Sequence, residues 1–321
     1  MTMSIEEFLS EWHNDSPYVR VHTSGSTGEP KVMLVEKRRM LASARITCEF
    51  LGLQPGNTAL LCMSLDFIAG KMMVVRSLER HLQLVAVPPS GKPEWNASID
   101  FAAMVPLQVW NLLHDPEGRQ RLMGIRHLII GGGAIDADLA SMLVGFPNQI
   151  WSTYGMTETL SHIALRRLNG PEASDWYTPF PSVTLSINED QCLVIDALDV
   201  CAERLVTNDI AELAADGRFR IVGRKDNVIC SGGIKIQAEE VERQLRAHLR
   251  VPCLISKRPD PKFGEIVVLL TEGSVDEIRQ VCERILPKFY QPRAYIHVSH
   301  IPLTATGKPA RKEAEQLCLQ H

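Results

Sequence analysis

Thr23-Ser24-Gly25-Ser26-Thr27-Gly28-Glu29-Pro30-Lys31 interleaves small hydroxyl residues with glycines and ends in a lysine. Glycines let a backbone come close to an anion, and the amides and hydroxyls of such a run donate to anionic oxygens. The spacing is not that of a Walker loop, because no Gly-Lys-Ser/Thr follows. A Gly/Ser/Thr stretch alone is more often a plain loop; the closing Pro30-Lys31 favours a phosphate loop. Downstream, short apolar segments at 59–63, 82–87, 101–105 and 126–130 read as buried strands. Stretches with helical spacing at 38–51, 68–78, 107–113 and 137–144 accompany them. Strands alternating with helices argue for an α/β layer around a largely parallel sheet.

After Asn188 the pattern turns to strands and turns, at 192–195, 204–207 and 218–222. A second unit is expected from Gly223. It holds a helix at 238–249 with Val241, Leu245 and Leu249 on one face, strands at 253–256 and 265–270, and a helix at 275–286. The expected plan is a large N-terminal α/β domain, 1–222, and a small α+β domain, 223–321.

A chain of 321 residues that is 45% apolar and 22% charged is not wholly disordered. Lys plus Arg number 34 against 38 Asp plus Glu, a balance that gives no reason to expect a nucleic-acid partner. The apolar runs fall short of the roughly 20 residues of a spanning helix, and the acidic N-terminus lacks the features of a secretory signal. Cysteines at 48, 62, 192, 201, 230, 253, 282 and 318 have no CxxC spacing and read as reduced core thiols. A cytoplasmic protein is the simplest account.

Four further motifs follow the first in order: Thr153-Tyr154-Gly155-Met156-Thr157-Glu158; Thr207-Asn208-Asp209; Gly223-Arg224-Lys225-Asp226 continuing through Ser231-Gly232-Gly233 to Glu239-Glu240-Val241-Glu242; and Thr304-Ala305-Thr306-Gly307-Lys308 with Arg311. Each alone reads equally well as a turn, a solvated acid or a tail lysine. Together and in this order, over about residues 20–312, they resemble the adenylate-forming superfamily of acyl-CoA synthetases, peptide-synthetase adenylation domains and luciferases. The resemblance implies two steps. A carboxylate attacks the α-phosphate of Mg-ATP, releasing pyrophosphate, and the thiol of coenzyme A then displaces AMP. It also implies roles. Thr23, Ser24, Gly25, Ser26, Thr27, Gly28 and Lys31 hold phosphates. Glu158, with Thr157 beside it, binds Mg²⁺, a hard cation suited to a carboxylate. Tyr154 and Gly155 lie at adenine, with Gly131, Gly132, Gly133 and Ala134 as the pocket wall. Asp209 accepts from the ribose hydroxyls, assisted by Arg224. Lys308 bridges carboxylate and α-phosphate, where charge builds. The small domain is expected to be mobile, pivoting at Asp226, with Gly232 and Gly233 approaching the coenzyme A thiol.

Two departures stand out. Only 22 residues precede the phosphate loop, where relatives carry many more, so part of the N-terminal subdomain is expected to be missing or supplied by a dimer partner. The His that many relatives have at the acid site is replaced by Phe67. The run from Ile68 to Leu78, with 104–108 and Leu112-Leu113, looks like the o-succinylbenzoate–CoA ligases of menaquinone synthesis. That acid carries a second carboxylate. Arg76 is the candidate to read it, since its fork matches a carboxylate; Lys71 is the other cation of the segment. Solvated helix cations are the competing reading for both. His162 reads as structural, because nothing in the spacing supplies a second metal ligand. Cys230 reads as a packed, inert thiol. The alternatives in function are a CoA ligase for another aromatic or a fatty acid, and a catalytically silent nucleotide-binding regulator.

Overall fold

The computed structural model describes residues 3–22, 32–133, 135, 137–304 and 309–320. The elements in order are α1 (Ile5–His13), β1 (Tyr18–His22), β2 (Val32–Glu36), α2 (Lys37–Phe50), β3 (Thr58–Leu61), α3 (Ile68–Arg80), β4 (Gln83–Ala86), β5 (Phe101–Met104), α4 (Pro106–Leu113), α5 (Pro116–Met123), β6 (His127–Ile130), α6 (Ala137–Leu143), β7 (Gln149–Gly155), β8 (His162–Arg167) and β9 (Thr178–Pro179). There follow β10 (Thr184–Ile187), β11 (Cys192–Asp196), β12 (Leu205–Leu213), β13 (Phe219–Arg224), β14 (Val228–Ser231), β15 (Ile234–Gln237), α7 (Ala238–Arg246), β16 (Cys253–Asp260), β17 (Gly264–Thr271), α8 (Val275–Ile285), β18 (Ala294–His297) and α9 (Arg311–Gln320). Two compact units result. One comprises Met1–Leu185, Ile195–Leu205 and Ala214–Arg220; the other comprises Ser186–Val194, Val206–Leu213 and Ile221–His321. Strands β10 to β13 lie side by side in that order.

The first unit is built on a seven-stranded sheet of order β4-β3-β5-β6-β7-β8-β9. From β4 to β7 every pairing is parallel, whereas β8 and β9 add antiparallel. The parallel part therefore has the doubly wound 2-1-3-4-5 order, whose ligand crevice lies at the carboxyl ends of the strands. Its strands read as continuous apolar runs because both faces are covered. Ala59, Leu61, Phe101 and Ala103 pack on one face with Met40, Ala44, Met72 and Val75 of α2 and α3. Leu60, Ala102, Met104, Leu128 and Ile130 pack on the other with Val109, Leu122 and Leu139. Helix α5, absent from the sequence reading, starts with a signal that was there to be read. Asp115 accepts from the Gly118 amide at 2.8 Å and Pro116 occupies the first turn.

The second unit repeats the logic on a sheet of order β15-β14-β17-β16, with β18 parallel to β17. Ile229, Ile255, Val267 and Leu269 face α7 and α8 through Val241, Leu245 and Ile278; Leu254, Ile266, Val268 and Leu270 face α9 through Ala314 and Cys318. The segment Ser231-Gly232-Gly233-Ile234 is the turn of the β14–β15 hairpin. Both glycines have positive φ, 57° and 84°, as a two-residue type I′ turn demands.

Candidate active site

The carboxyl ends of β6 and β7 bring two of the motifs side by side. Ile130 pairs with Ser152, so Gly131 runs on beside Thr153. A Cβ on Gly131 would lie 2.3 Å from Thr153 Oγ1, so a side chain here would push Thr153 out of its rotamer. Gly155 is constrained in the same way: a Cβ there would lie 2.2 Å from the Ser161 carbonyl, and the register with β8 shifts at this point. Residues Thr157–Thr159 form one turn of 3₁₀ helix, tied down by Thr159 Oγ1, which accepts from the Met156 amide at 2.9 Å. That turn leaves the Glu158 carboxylate exposed at the strand end. One exposed carboxylate fits a Mg²⁺ that completes its shell with phosphate oxygens and water. Among the described residues no cluster of three or more His, Cys, Asp or Glu is placed to hold a metal.

Tyr154 is half-buried, with its ring edge-on to Phe219 at 5.1 Å and tilted to Tyr177 at 5.9 Å. Tyr177 and Phe219 stack at 5.5 Å and exchange backbone hydrogen bonds, so the ring sits in a fixed aromatic frame. An open depression of about 400 Å³ lined by Trp95, Asn96, Arg121 and Gly124 lies before the amino ends of β5 and β6, at the opposite edge of the sheet.

Helix α3 follows β3 at the same carboxyl edge. Phe67 is its N-cap residue and is exposed. A Cβ on Gly70 would come within 2.3 Å of the Ser64 carbonyl, which seats the helix start on the preceding turn. Lys71 and Arg76 are not the solvated helix cations their spacing allowed: both are buried, at 1% and 2% exposure. They part company as expected for residues five apart. Lys71 donates to the Arg20 carbonyl and lies 5.7 Å from the Phe8 ring centre. Desolvation, the largest effect, pulls its pKa down against the nearby Glu11 and Asp66. Arg76 donates from Nη2 to Ser161 Oγ at 2.6 Å and contacts Met73 Sδ at 3.8 Å, while its Nε has no partner. Desolvation lowers its pKa to about 10.

His162 lies four residues after Glu158, at the start of β8. It is buried, with Nδ1 3.2 Å from Ser161 Oγ and Nε2 3.1 Å from Thr47 Oγ1. Burial, with the Arg76 charge adding to it, holds its pKa well below the usual histidine value.

In the second unit, Asp209 and Arg224 meet, Nη1 to Oδ1, at 3.4 Å, and Arg224 Nη2 reaches Asp226 Oδ2 at 3.0 Å. Asn208 Nδ2 lies 3.4 Å from the same Asp226 oxygen. Asp226 sits in the one-turn segment Lys225–Asn227, and Lys225 pairs with Asp190 at 2.7 Å. Cys230 is exposed, which corrects the expectation of a packed thiol: β14 alternates, so Ile229 points into the core and Cys230 away from it. Six of the other cysteines are buried and Cys253 is partly so. Thr23, Ser24, Gly25, Ser26, Thr27, Gly28, Lys31, Ala134 and Lys308 lie outside the described residues.

Residues 5–205 match the family described as AMP-binding enzyme. The chain belongs to the AMP-binding enzyme family. Among curated relatives of this AMP-binding chain, the 2-succinylbenzoate–CoA ligase of Salmonella typhimurium is 27% identical over 84% of the chain and 62% of its own length. That of Bacillus cereus is 24% identical over 92% of the chain and 69% of its own length. The chain thus spans about two thirds of the length of these relatives. A solved acyl-CoA synthetase (AMP-forming)/AMP-acid ligase II-like protein from Dyadobacter fermentans is 31% identical, with a TM-score of 0.67, over 97% of this chain and 92% of that one. The o-succinylbenzoate coenzyme A synthetase of Bacillus subtilis, solved with ATP and magnesium ion, has a TM-score of 0.74 at 21% identity over 92% of this chain and 69% of its own, which supports the fold. No described helix is long and apolar enough to cross a membrane.

Proposed function

We propose that this AMP-binding chain is an ATP-dependent acid–CoA ligase whose acid is a dicarboxylate, o-succinylbenzoate being the preferred candidate. In the first step one carboxylate of the acid attacks the α-phosphate of Mg-ATP and pyrophosphate leaves. In the second the coenzyme A thiol attacks the acyl carbon and AMP leaves. Glu158, with Thr157 beside it, binds Mg²⁺; Tyr154 holds adenine against its aromatic frame; Asp209 and Arg224 take the ribose. Lys308 stabilises the charge on the reacting phosphate.

The observation that carries the choice of acid is Arg76. A buried guanidinium is costly unless an anion and hydrogen bonds compensate it. Among the described residues no carboxylate pairs with it, and one of its nitrogens is unpartnered. A second carboxylate on the substrate supplies the missing anion. Relatives named 2-succinylbenzoate–CoA ligase point to the same acid.

The test is ATP–pyrophosphate exchange over a panel of acids, with wild type and Arg76→Ala. We expect o-succinylbenzoate to lead the panel. Arg76→Ala should cost the diacid about 2–5 kcal/mol in kcat/KM, and a monoacid much less. A panel led by a fatty acid or an aromatic monoacid would replace the substrate reading, and no exchange with any acid would favour a silent nucleotide-binding regulator. Equal losses on diacid and monoacid would make Arg76 a support of structure.

A further inference from the structure

Four side chains and one carbonyl form a continuous hydrogen-bonded path through the first unit, from the Ser43 carbonyl through Thr47, His162 and Ser161 to Arg76. Thr47 Oγ1 lies 3.0 Å from the Ser43 carbonyl, one turn back in α2, and spends its only proton there. With that hydrogen so placed, Oγ1 accepts from His162 Nε2, 3.1 Å away, and the proton of the ring sits on Nε2. The imidazole is buried beside a guanidinium and carries one proton, so Nδ1 is an acceptor. The Ser161 hydroxyl, 3.2 Å from Nδ1, donates to it. Its lone pairs are then left to face Arg76 Nη2 at 2.6 Å. The crevice lined by Ser43, Ile46, His162 and Phe180 beside the path is too small for a water molecule.

The alternative tautomer gives up one hydrogen bond of the path. With the proton on Nδ1, the Thr47 hydroxyl would have to turn to Nε2 and release the Ser43 carbonyl.

We propose that Ser161 and His162 are positioning residues for acid selection. The neutral Nε2–H form of His162 orients the Ser161 hydroxyl, which holds one arm of the Arg76 fork and leaves its other donors for the distal carboxylate. This deepens the reading of Arg76 above and rests on it. It also gives His162, four residues after Glu158, a purpose that needs no metal.

Two measurements test it. The first is selectivity: kcat/KM for o-succinylbenzoate divided by that for its analogue lacking the distal carboxylate, in wild type, Arg76→Ala, Ser161→Ala, Ser161→Thr and His162→Leu. We expect Ser161→Ala and His162→Leu to lower the ratio by about tenfold or more, through KM of the diacid, and Ser161→Thr to restore most of it. The second is the ¹⁵N–¹H correlation pattern of the His162 ring in the intact wild-type protein, expected to be that of a neutral Nε2–H imidazole. If Arg76→Ala leaves the ratio unchanged, the diacid reading itself fails. If Arg76→Ala lowers the ratio while Ser161→Ala and His162→Leu do not, or if the ring is the Nδ1–H form, the positioning role is overturned and Arg76 acts alone. A fall in melting temperature with an unchanged ratio would make the path a structural one.

Discussion

Lys308 and Arg76 are both proposed to meet negative charge, but of different kinds. Arg76 meets a full charge that the substrate brings with it, so its loss should show in KM. Lys308 meets charge that grows as the phosphate reacts, so its loss should show in kcat. We expect Lys308→Ala to slow acyl-adenylate formation by about 10²–10³, the scale for losing one preorganised donor. Rapid-quench measurement of acyl-AMP, beside equilibrium binding of ATP, separates rate from affinity; acyl-AMP formed at a near-normal rate would remove the role. At this scale the sequence was readable where chemistry is local. Glu158, Asp209 and Arg224 were singled out within runs of a few residues, and the last two meet in the structure. Thr47 and Ser161 were not singled out, because the path joining them to Arg76 spans 115 positions between Thr47 and His162 and no short motif records it. Burial was invisible too: Arg76 in a helical run gives no sign that its guanidinium is buried.

At the scale of elements, the last two motifs are joined by a clasp that their sequence does not reveal. Arg311, at the start of α9, sends Nη1 to Glu242 Oε1 at 2.8 Å and Nη2 to Oε2 at 2.9 Å, a two-pronged pair on α7. The same Glu242 oxygen accepts from the Ile255 amide at 2.9 Å, and Arg311 Nη1 also donates to the Ile255 carbonyl at 2.8 Å. Glu242 is only 3% exposed, so a neutral replacement leaves the partly buried Arg311 with the weaker Glu239 pair, 3.8 Å away. We expect Glu242→Gln to destabilise the second unit by about 3 kcal/mol. In a unit of this size that lowers the melting temperature by roughly 10 °C, readable by calorimetry. A shift within a degree or two would mean the pair is a passive contact. Helices α2, α3, α4 and α6 and strands β3 to β6 of the first unit were legible because each apolar run has its own length and period, whereas α1, α5 and β7 were not read. Strands β8 and β9, which extend that sheet antiparallel, were not, since their pairing is decided by β7 and not by their own residues. The β14–β15 hairpin had the right signal in Gly232-Gly233, but its strands are too short and mixed to be recognised alone.

For the molecule as a whole the question is whether the two half-reactions use one arrangement of the units or two. Asp226 carries the proposed pivot, and its carboxylate is shared by Arg224 and Asn208. A proline there fixes φ near −65° and disfavours the helical backbone of Lys225 before it. We expect Asp226→Pro to keep pyrophosphate exchange within about tenfold of wild type, or roughly 1.4 kcal/mol. Thioester formation from purified acyl-AMP should fall much further. Asp226→Ala removes the carboxylate without fixing the backbone and should spare both steps more evenly. Proportional loss in the proline variant, together with a lower melting temperature, would place the pivot elsewhere. The exposure of Cys230 offers a way to watch this directly. Burial drives the Cys62 and Cys253 thiols up to about 12, and the remaining buried thiols are closed to reagents, whereas Cys230 stands open on the β14–β15 hairpin. A maleimide dye offered to the native protein would therefore settle at one address, two residues from the glycine turn proposed to greet coenzyme A. The chain carries its own optical clock, already mounted on the part whose timing matters.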